Sequence, residues 1–179
     1  MNCRVAKCKE NHASHFCSLC QDHDSNHFSC DCTKGITLYH GTKVDNTSGI
    51  ASEGLKPSKN GRLGPGVYFV ESYSEAISIA KHRDREDGNV SVVLECTVSL
   101  GQMANLCNVR DSWELQSWQG RYHSAKAVHP PWAGINYSFN EICVKNQTFC
   151  SVKKVTFLKD NYGSIDTIEV GKMHKIGTF

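Results

Sequence analysis

The sequence predicts an α+β fold with a largely antiparallel sheet over residues 34–179, preceded by a small zinc-binding module over residues 1–33. The first 33 residues hold six of the ten cysteines and almost no large aliphatic side chains beyond Val5 and Leu19. From Gly35 onward the chain turns to short apolar runs broken by Gly, Pro, Asn and Asp, the pattern of strands and turns. Helix-like stretches are few and do not alternate regularly with the strands, which argues against a parallel βαβ sheet.

Ile36 to Tyr39 reads as a short strand that runs into His40-Gly41-Thr42. Asp45 to Gly54 reads as a helix that Asp45 or Asn46 caps and Gly54 stops. Lys56 to Gly66 carries a proline near each end and three glycines, which makes it a loop. Val67 to Val70 is a short apolar strand. The next helix, capped by Ser72 or Ser74, reaches about His82 and sets Ala76, Ile79 and Ala80 on one face. Arg83 to Asn89 is a charged turn, and Val90 to Leu100 alternates as a strand that ends at Gly101. Asp111 to Trp118 reads as helical, and Gly120 to Ser138 as irregular around Pro130-Pro131. Ile142 to Leu158 holds two strands, and Ile165 to Val170 an edge strand.

A chain of 179 residues accommodates one ordinary domain plus a small appendage, and a 39% hydrophobic fraction suffices for one core. A formal charge of +2 is too small to bind nucleic acid by electrostatics alone. No apolar run is long enough for a membrane-spanning helix. The polar, cysteine-bearing N-terminus lacks the apolar centre of a secretory signal, and neither end carries a lipidation box. Cys96, Cys107, Cys143 and Cys150 stand isolated and read as reduced, mostly buried thiols, which suits the cytoplasm or nucleus.

Five of the nine histidines (His12, His15, His23, His27 and His40) lie in the first 40 residues, interleaved with the cysteines. Thiolate and imidazole are the preferred ligands of Zn²⁺. A metal supplies the folding energy that residues 1–33 cannot draw from burial. Cys17-x2-Cys20 with His27-x4-Cys32 makes one tetrahedral set, and Cys3, Cys8, His12 and His15 make a second. An interleaved arrangement stays open, with His23 and Cys30 as spare donors, as does the choice between one zinc and two. A closed set of protein ligands has no vacant position, so the expected role is structural. Phe16 and Phe28 leave open a nucleic-acid contact by base stacking. The alternative is a disordered tail with reactive thiols.

Three segments far apart in the chain carry the chemistry. They are Leu38-Tyr39-His40-Gly41-Thr42, the run Gly61-Arg62-Leu63-Gly64-Pro65-Gly66-Val67-Tyr68-Phe69, and Asn140-Glu141-Ile142-Cys143-Val144. Their types, order and spacing resemble the signature of the ADP-ribosyltransferases of the PARP, or diphtheria-toxin-like, class, in which a histidine, a tyrosine and a glutamate hold NAD. Gly54-Leu55, Pro57-Ser58, Leu94 to Leu106 and Trp118 to Ala125 extend the resemblance over residues 36–158. It implies a PARP-like fold, a mostly antiparallel split sheet with flanking helices, and NAD as substrate.

By that resemblance His40 would bond the adenosine-side ribose, and the backbone N–H and C=O of Gly41 would grip the nicotinamide amide. Tyr68 would stack on the nicotinamide, and Glu141 would polarise its ribose and help to activate an acceptor. Thr42, Gly66 and Tyr73 complete the implied NAD-binding residues. Cleavage of the nicotinamide–ribose bond passes through an oxocarbenium-like state, so a carboxylate beside that ribose stabilises the developing charge. In the family, a serine and a second aromatic follow the tyrosine segment. Those places hold Ala76 and Ile79 here, which predicts weaker NAD binding, with Tyr73 as the replacement aromatic. The implied activity is mono-ADP-ribosyl transfer to a protein acceptor, or to a nucleic-acid end, with release of nicotinamide.

Taken singly, each residue has a plainer reading: His40 as a satisfied histidine after a strand, Tyr68 as a core tyrosine, Glu141 as an exposed strand charge. Cys143 as a nucleophile lacks an identifiable base. Gly61 to Gly66 lacks the Lys-Ser/Thr ending of a phosphate loop. Two other functions stay open. One is a catalytically degenerate module that binds NAD, ADP-ribose or a protein partner; the other is a zinc-dependent nucleic-acid-binding module.

Overall fold

The structure, a computed structural model, describes residues 15–17, 22–24, 35–84, 90–111, 113–159 and 163–169 (the first two segments, Asp84, Lys159 and the last segment by backbone alone). The expected zinc ligands Cys3, Cys8, Cys20, His27 and Cys32 lie outside the described residues. Of His15 and Cys17 only the backbone is described. Among the described residues no cluster of three or more His, Cys, Asp or Glu side chains could hold a metal. No described helix is long and apolar enough to cross a membrane.

The strands are β1 (His15–Cys17), β2 (Asp22–Asp24), β3 (Ile36–Lys43), β4 (Val67–Val70), β5 (Ser91–Val98), β6 (Met103–Asn105), β7 (Ser124–His129), β8 (Phe139–Val144), β9 (Cys150–Lys159) and β10 (Gly163–Glu169). The helices are α1 (Thr47–Glu53) and α2 (Tyr73–Asp84). β1 and β2 form a separate antiparallel pair. The other strands make one sheet in the order β10-β9-β5-β3-β4-β8-β7-β6, antiparallel throughout except for the parallel pair β6–β7. β3 pairs with β5 along its whole length, whereas β3 and β4 meet only at Tyr39↔Val70. The sheet therefore consists of two halves that part beside His40.

Strand alternation sorts the core onto two faces. Leu38, Val67, Phe69, Val92, Leu94, Ile142 and Val155 pack together on one face, with Leu55 and Ile50 of the α1 region against them. Val70, Val93, Phe139 and Leu158 face the other way and receive Ala76, Ile79 and Ala80 of α2. A third cluster joins Leu63, Leu115, Trp118, Ala125, Ala127 and Cys143 under the loop before β4.

Besides α2, which runs on to Asp84, and the unexpected β6, the elements differ from the sequence reading in four places. The first strand continues through Gly41 to Lys43, because β5 offers it an uninterrupted ladder. The helix expected from Asp45 begins at Thr47 after a 3-10 turn, and Gly54 closes it with φ 77° and an N–H bond to Ile50 O. The stretch expected to be helical at Asp111 to Trp118 is a 3-10 helix over Glu114–Gly120 that buries Leu115 and Trp118. The segment read as irregular contains β7, whose Ala125 and Ala127 are wholly buried. Alanine has weak strand preference, so this strand owes its existence to pairing with β8 and to the space beneath Trp118.

Candidate active site

β3 delivers His40 to the point where the two halves of the sheet separate. Its Nδ1 donates to the backbone carbonyl of Tyr68 on β4 at 2.7 Å, across the gap. A carbonyl can only accept, so Nδ1 carries the proton and Nε2 keeps its lone pair. Burial lowers the pKa from 6.5 to about 4; the Tyr68 bond opposes this and Arg83 adds to it. The imidazole is thus a neutral acceptor at physiological pH.

Tyr68 is half-buried on β4, and its hydroxyl serves the preceding loop. It accepts from the N–H of Leu63 at 3.0 Å and donates to the carbonyl of Gly64 at 2.5 Å. Burial first, then the neighbouring Cys143 and Glu141, raise its pKa, so the phenol stays protonated. The loop closes so tightly over the ring that a Cβ on Gly61 would lie 2.1 Å from the hydroxyl. Trp118 Nε1 holds the same loop at Leu63 O (2.9 Å), and Gln119 Nε2 holds it at Pro65 O (2.8 Å).

Glu141 lies on β8 between Val70 of β4 and Ala127 of β7. Its Oε2 is buried with no hydrogen-bond partner among the described residues. Burial raises its pKa, while His129, Arg62 and Arg83 pull the other way. Both arginines are anchored to backbone: Arg62 Nη1 donates to Val128 O at 2.8 Å and Arg83 Nη1 to Gly41 O at 2.9 Å.

His40, Gly41, Tyr68 and Glu141 line one cavity of about 260 Å³, with Arg62, Ile79, Arg83, His129, Trp132 and Phe139 among the other residues of its wall. A second cavity of about 490 Å³ is lined by Thr42, Asn46, Ile50, Lys56 and Gly66 and shares His40, Ser58, Tyr68 and Arg83 with the first. Two chambers therefore adjoin at those four residues. Thr42 is bound there by Asn46 Nδ2 at 2.9 Å. Tyr73 lines neither chamber; its ring sits edge-on to Tyr39 at a centroid distance of 5.6 Å. The structure thus does not bring the expected replacement aromatic to the others. Ala76 is wholly buried beneath Gly41, and only Ile79 of that pair reaches the cavity.

Sequence reasoning overlooked Arg83, His129 and Trp132. Trp132 is 39% exposed, and the ring of His129 stacks on Phe139 with centroids 4.9 Å apart. Pro130-Pro131-Trp132 was the available signal for that wall. Cys143 is buried and its pKa is pushed up to about 12, chiefly by desolvation, so no thiolate is present at neutral pH. The four described thiols are all free.

A family model described as the poly(ADP-ribose) polymerase catalytic domain matches residues 5–131. The match takes in His40, Gly41 and Tyr68 and ends before Glu141. The protein mono-ADP-ribosyltransferase PARP4 of Mus musculus is 39% identical over 80 residues, 38% of this chain and 4% of that protein. Poly [ADP-ribose] polymerase 2-A of Oryza sativa subsp. japonica is 34% identical over 79 residues, 41% of this chain and 12% of its own length. Poly [ADP-ribose] polymerase 2 of Zea mays is 33% identical over a stretch of the same size. The chain spans only a small fraction of the length of these curated relatives.

Proposed function

The chain belongs to the poly(ADP-ribose) polymerase catalytic-domain family, and we propose that it transfers single ADP-ribose units from NAD to a protein acceptor, releasing nicotinamide. The observation that carries this reading is the unpartnered, buried Oε2 of Glu141 in the cavity that His40 and Tyr68 also line. A buried acceptor left unmet costs about 1–3 kcal/mol. A ribose hydroxyl donating to it would remove that cost.

In this reading NAD lies along both chambers, with its adenosine side toward Thr42 and Lys56 and its nicotinamide side toward Glu141. Nε2 of His40 accepts a hydroxyl of the adenosine-side ribose, which its fixed tautomer suits. Tyr68 presents its ring to the nicotinamide. The carboxylate of Glu141 accepts the 2′-hydroxyl of the second ribose. As the C–N bond breaks, its electron pair leaves with nicotinamide and positive charge grows on that ribose. A preplaced carboxylate stabilises such a charge far better in a buried cleft than in water. His129 and Arg62 oppose the effect of burial and help to keep Glu141 ionised for that role.

A second reading, binding of NAD or ADP-ribose without chemistry, draws support from Ala76 and Ile79, which supply neither a hydroxyl nor a ring. Labelled NAD separates the two. Label incorporation and nicotinamide release that vanish in Glu141→Ala favour the transferase. Saturable binding without turnover favours the module.

For residues 1–33 we retain a structural zinc module on Cys3, Cys8, His15, Cys17, Cys20, His27 and Cys32. What supports it is the Cys/His spacing of the sequence, together with the antiparallel pair β1–β2, whose first strand ends at Cys17. A nucleic-acid contact through this module would appear as RNA binding that weakens steeply with salt. The free thiols of Cys96, Cys107, Cys143 and Cys150 fit a cytoplasmic or nuclear setting.

A further inference from the structure

Arg83 stands in the last turn of α2 and lines both chambers. Its reach to Gly41 O follows from how α2 docks. Ala76, Ala80 and Arg83 are spaced i, i+4, i+7 and share one helix face. The first two are wholly buried, and the helix backbone approaches β3 so closely that a Cβ on Gly41 would meet Ala76 O at 2.4 Å and Ala80 N at 2.8 Å. With the helix seated on Gly41, the guanidinium one turn on returns over the Gly41 carbonyl at 2.9 Å.

We propose that Arg83 selects the ligand: it occupies the seat of the nicotinamide carboxamide, so that the cleft holds ADP-ribose in preference to NAD. This rests on the reading of the cleft as an NAD site. By the resemblance drawn from the sequence the Gly41 carbonyl would accept from the carboxamide N–H, and Arg83 already donates to it. Charge acts in the same direction. The nicotinamide of NAD is an N-alkylated pyridinium with a unit positive charge, which a guanidinium in its seat repels. ADP-ribose lacks that ring and keeps the anionic pyrophosphate, which a guanidinium at the junction of the chambers attracts. Glu141 is the anion that faces Arg83, but Arg62 and His129 also draw on that carboxylate, so it offsets the cation only in part. NAD enters productively when Arg83 leaves Gly41.

The test is equilibrium titration of the full chain with NAD, ADP-ribose and benzamide, the last a neutral ring bearing the same carboxamide. Wild type, Arg83→Ala and Arg83→Gln are compared. Wild type should bind ADP-ribose more tightly than NAD. Arg83→Ala should tighten NAD and benzamide on the order of tenfold, the worth of one contested hydrogen bond and the removed repulsion, without tightening ADP-ribose. Arg83→Gln keeps an N–H donor and loses the charge, so NAD should gain more than benzamide. ADP-ribose binding by each variant certifies an intact cleft. NAD affinity that is unchanged or weaker in Arg83→Ala, while ADP-ribose still binds, overturns this inference alone. Failure of both nucleotides to bind wild type and both variants removes the NAD reading, and this inference with it.

Discussion

Exchanging Glu141 for Gln should make the protein more stable and less active at once. The substitution keeps the shape of the side chain and removes its charge. In wild type, Oε2 is buried without a partner among the described residues, and burial holds the pKa above the usual carboxylate range in spite of His129, Arg62 and Arg83 nearby. An unmet buried acceptor costs about 1–3 kcal/mol, and more when ionised. Gln carries less of that penalty but forgoes the attraction of Arg62 and Arg83. Neither arginine is orphaned, since each keeps its bond to a backbone carbonyl. A net gain of about 1 kcal/mol remains, which raises Tm by roughly 2–4 °C in a chain of this size. The same exchange should slow nicotinamide release by about 10²–10³-fold, the range seen when one transition-state stabilising group is lost. The pH dependence has a definite sign. A carboxyl group whose pKa is raised on folding binds more protons folded than unfolded, so stability falls as pH rises through the window between the two values. The gap in Tm between Glu141→Gln and wild type should therefore close on acidification. Thermal melts over a pH series, with nicotinamide followed by chromatography, measure both effects. A variant that melts below wild type at every pH, or that releases nicotinamide at the wild-type rate, would refute the idea that Glu141 is held unmet for catalysis.

Four further outcomes are expected. His40 refuses a proton that the unfolded chain accepts, because burial moves its pKa from 6.5 to about 4; stability should be lost as pH falls through that window, by about 3 kcal/mol in all. His40→Gln should flatten this part of the curve of urea midpoint against pH, and an unchanged slope would contradict the assignment. Gly41→Ala drives a Cβ into the α2 backbone and should cost about 1–3 kcal/mol or more; a wild-type Tm would mean that α2 does not dock as described. Trp118→Phe deletes the donor to Leu63 O, which Gln119 still meets at 3.2 Å; the expected loss is about 1 kcal/mol, with faster proteolysis between Gly61 and Gly66. If residues 1–33 hold zinc as proposed, replacing Cys17 and Cys20 by Ser should lower the zinc content read by elemental analysis and leave the melt of residues 34–179 in place; an unchanged content would remove the module.

The parts of the site that the sequence revealed sit on strands with strong local signals. Val67-Tyr68-Phe69-Val70 is bounded by Gly66 and Glu71 and could hardly be anything but a short strand. Glu141 precedes three apolar residues, and its neighbours fix it on β8. β7 was illegible because Ser-Ala-Lys-Ala-Val-His has neither a β-branched run nor clean alternation, and only its partners on both sides make it a strand. Arg83, which the sequence places in a charged turn, belongs to α2 and is hard to read for a related reason. Its role depends on where α2 docks, and the signal for that docking is distributed over Gly41, Ala76 and Ala80, three small residues that meet only after folding. Tyr73 departs in the opposite direction: its spacing suits a second aromatic in the cleft, while α2 turns it onto Tyr39.

The cleft exists because the sheet is imperfect at one seam. By alternation His40 belongs with Leu38 to the face that packs on Phe69, whereas Tyr68, Val70 and Glu141 belong to the other face. In a continuous sheet these side chains would be separated by the strands that bear them. Since β3 and β4 pair at one position only, the cavity passes around the edge of β4 and touches both Phe69 and Val70, adjacent residues that point to opposite faces. An open seam leaves backbone groups to be satisfied by other means. Two carbonyls at this seam, Tyr68 O and Gly41 O, are each met by a side chain of the site, His40 and Arg83. The two bonds are not equivalent. The imidazole of His40 is neutral, buried and packed edge-on against Phe69. Arg83 is charged and reaches in from the last turn of a helix, and in the inference above its carbonyl is the one a ligand claims. The seam is thus closed at one carbonyl by a neutral ring held between two strands and at the other by a cation carried on a helix.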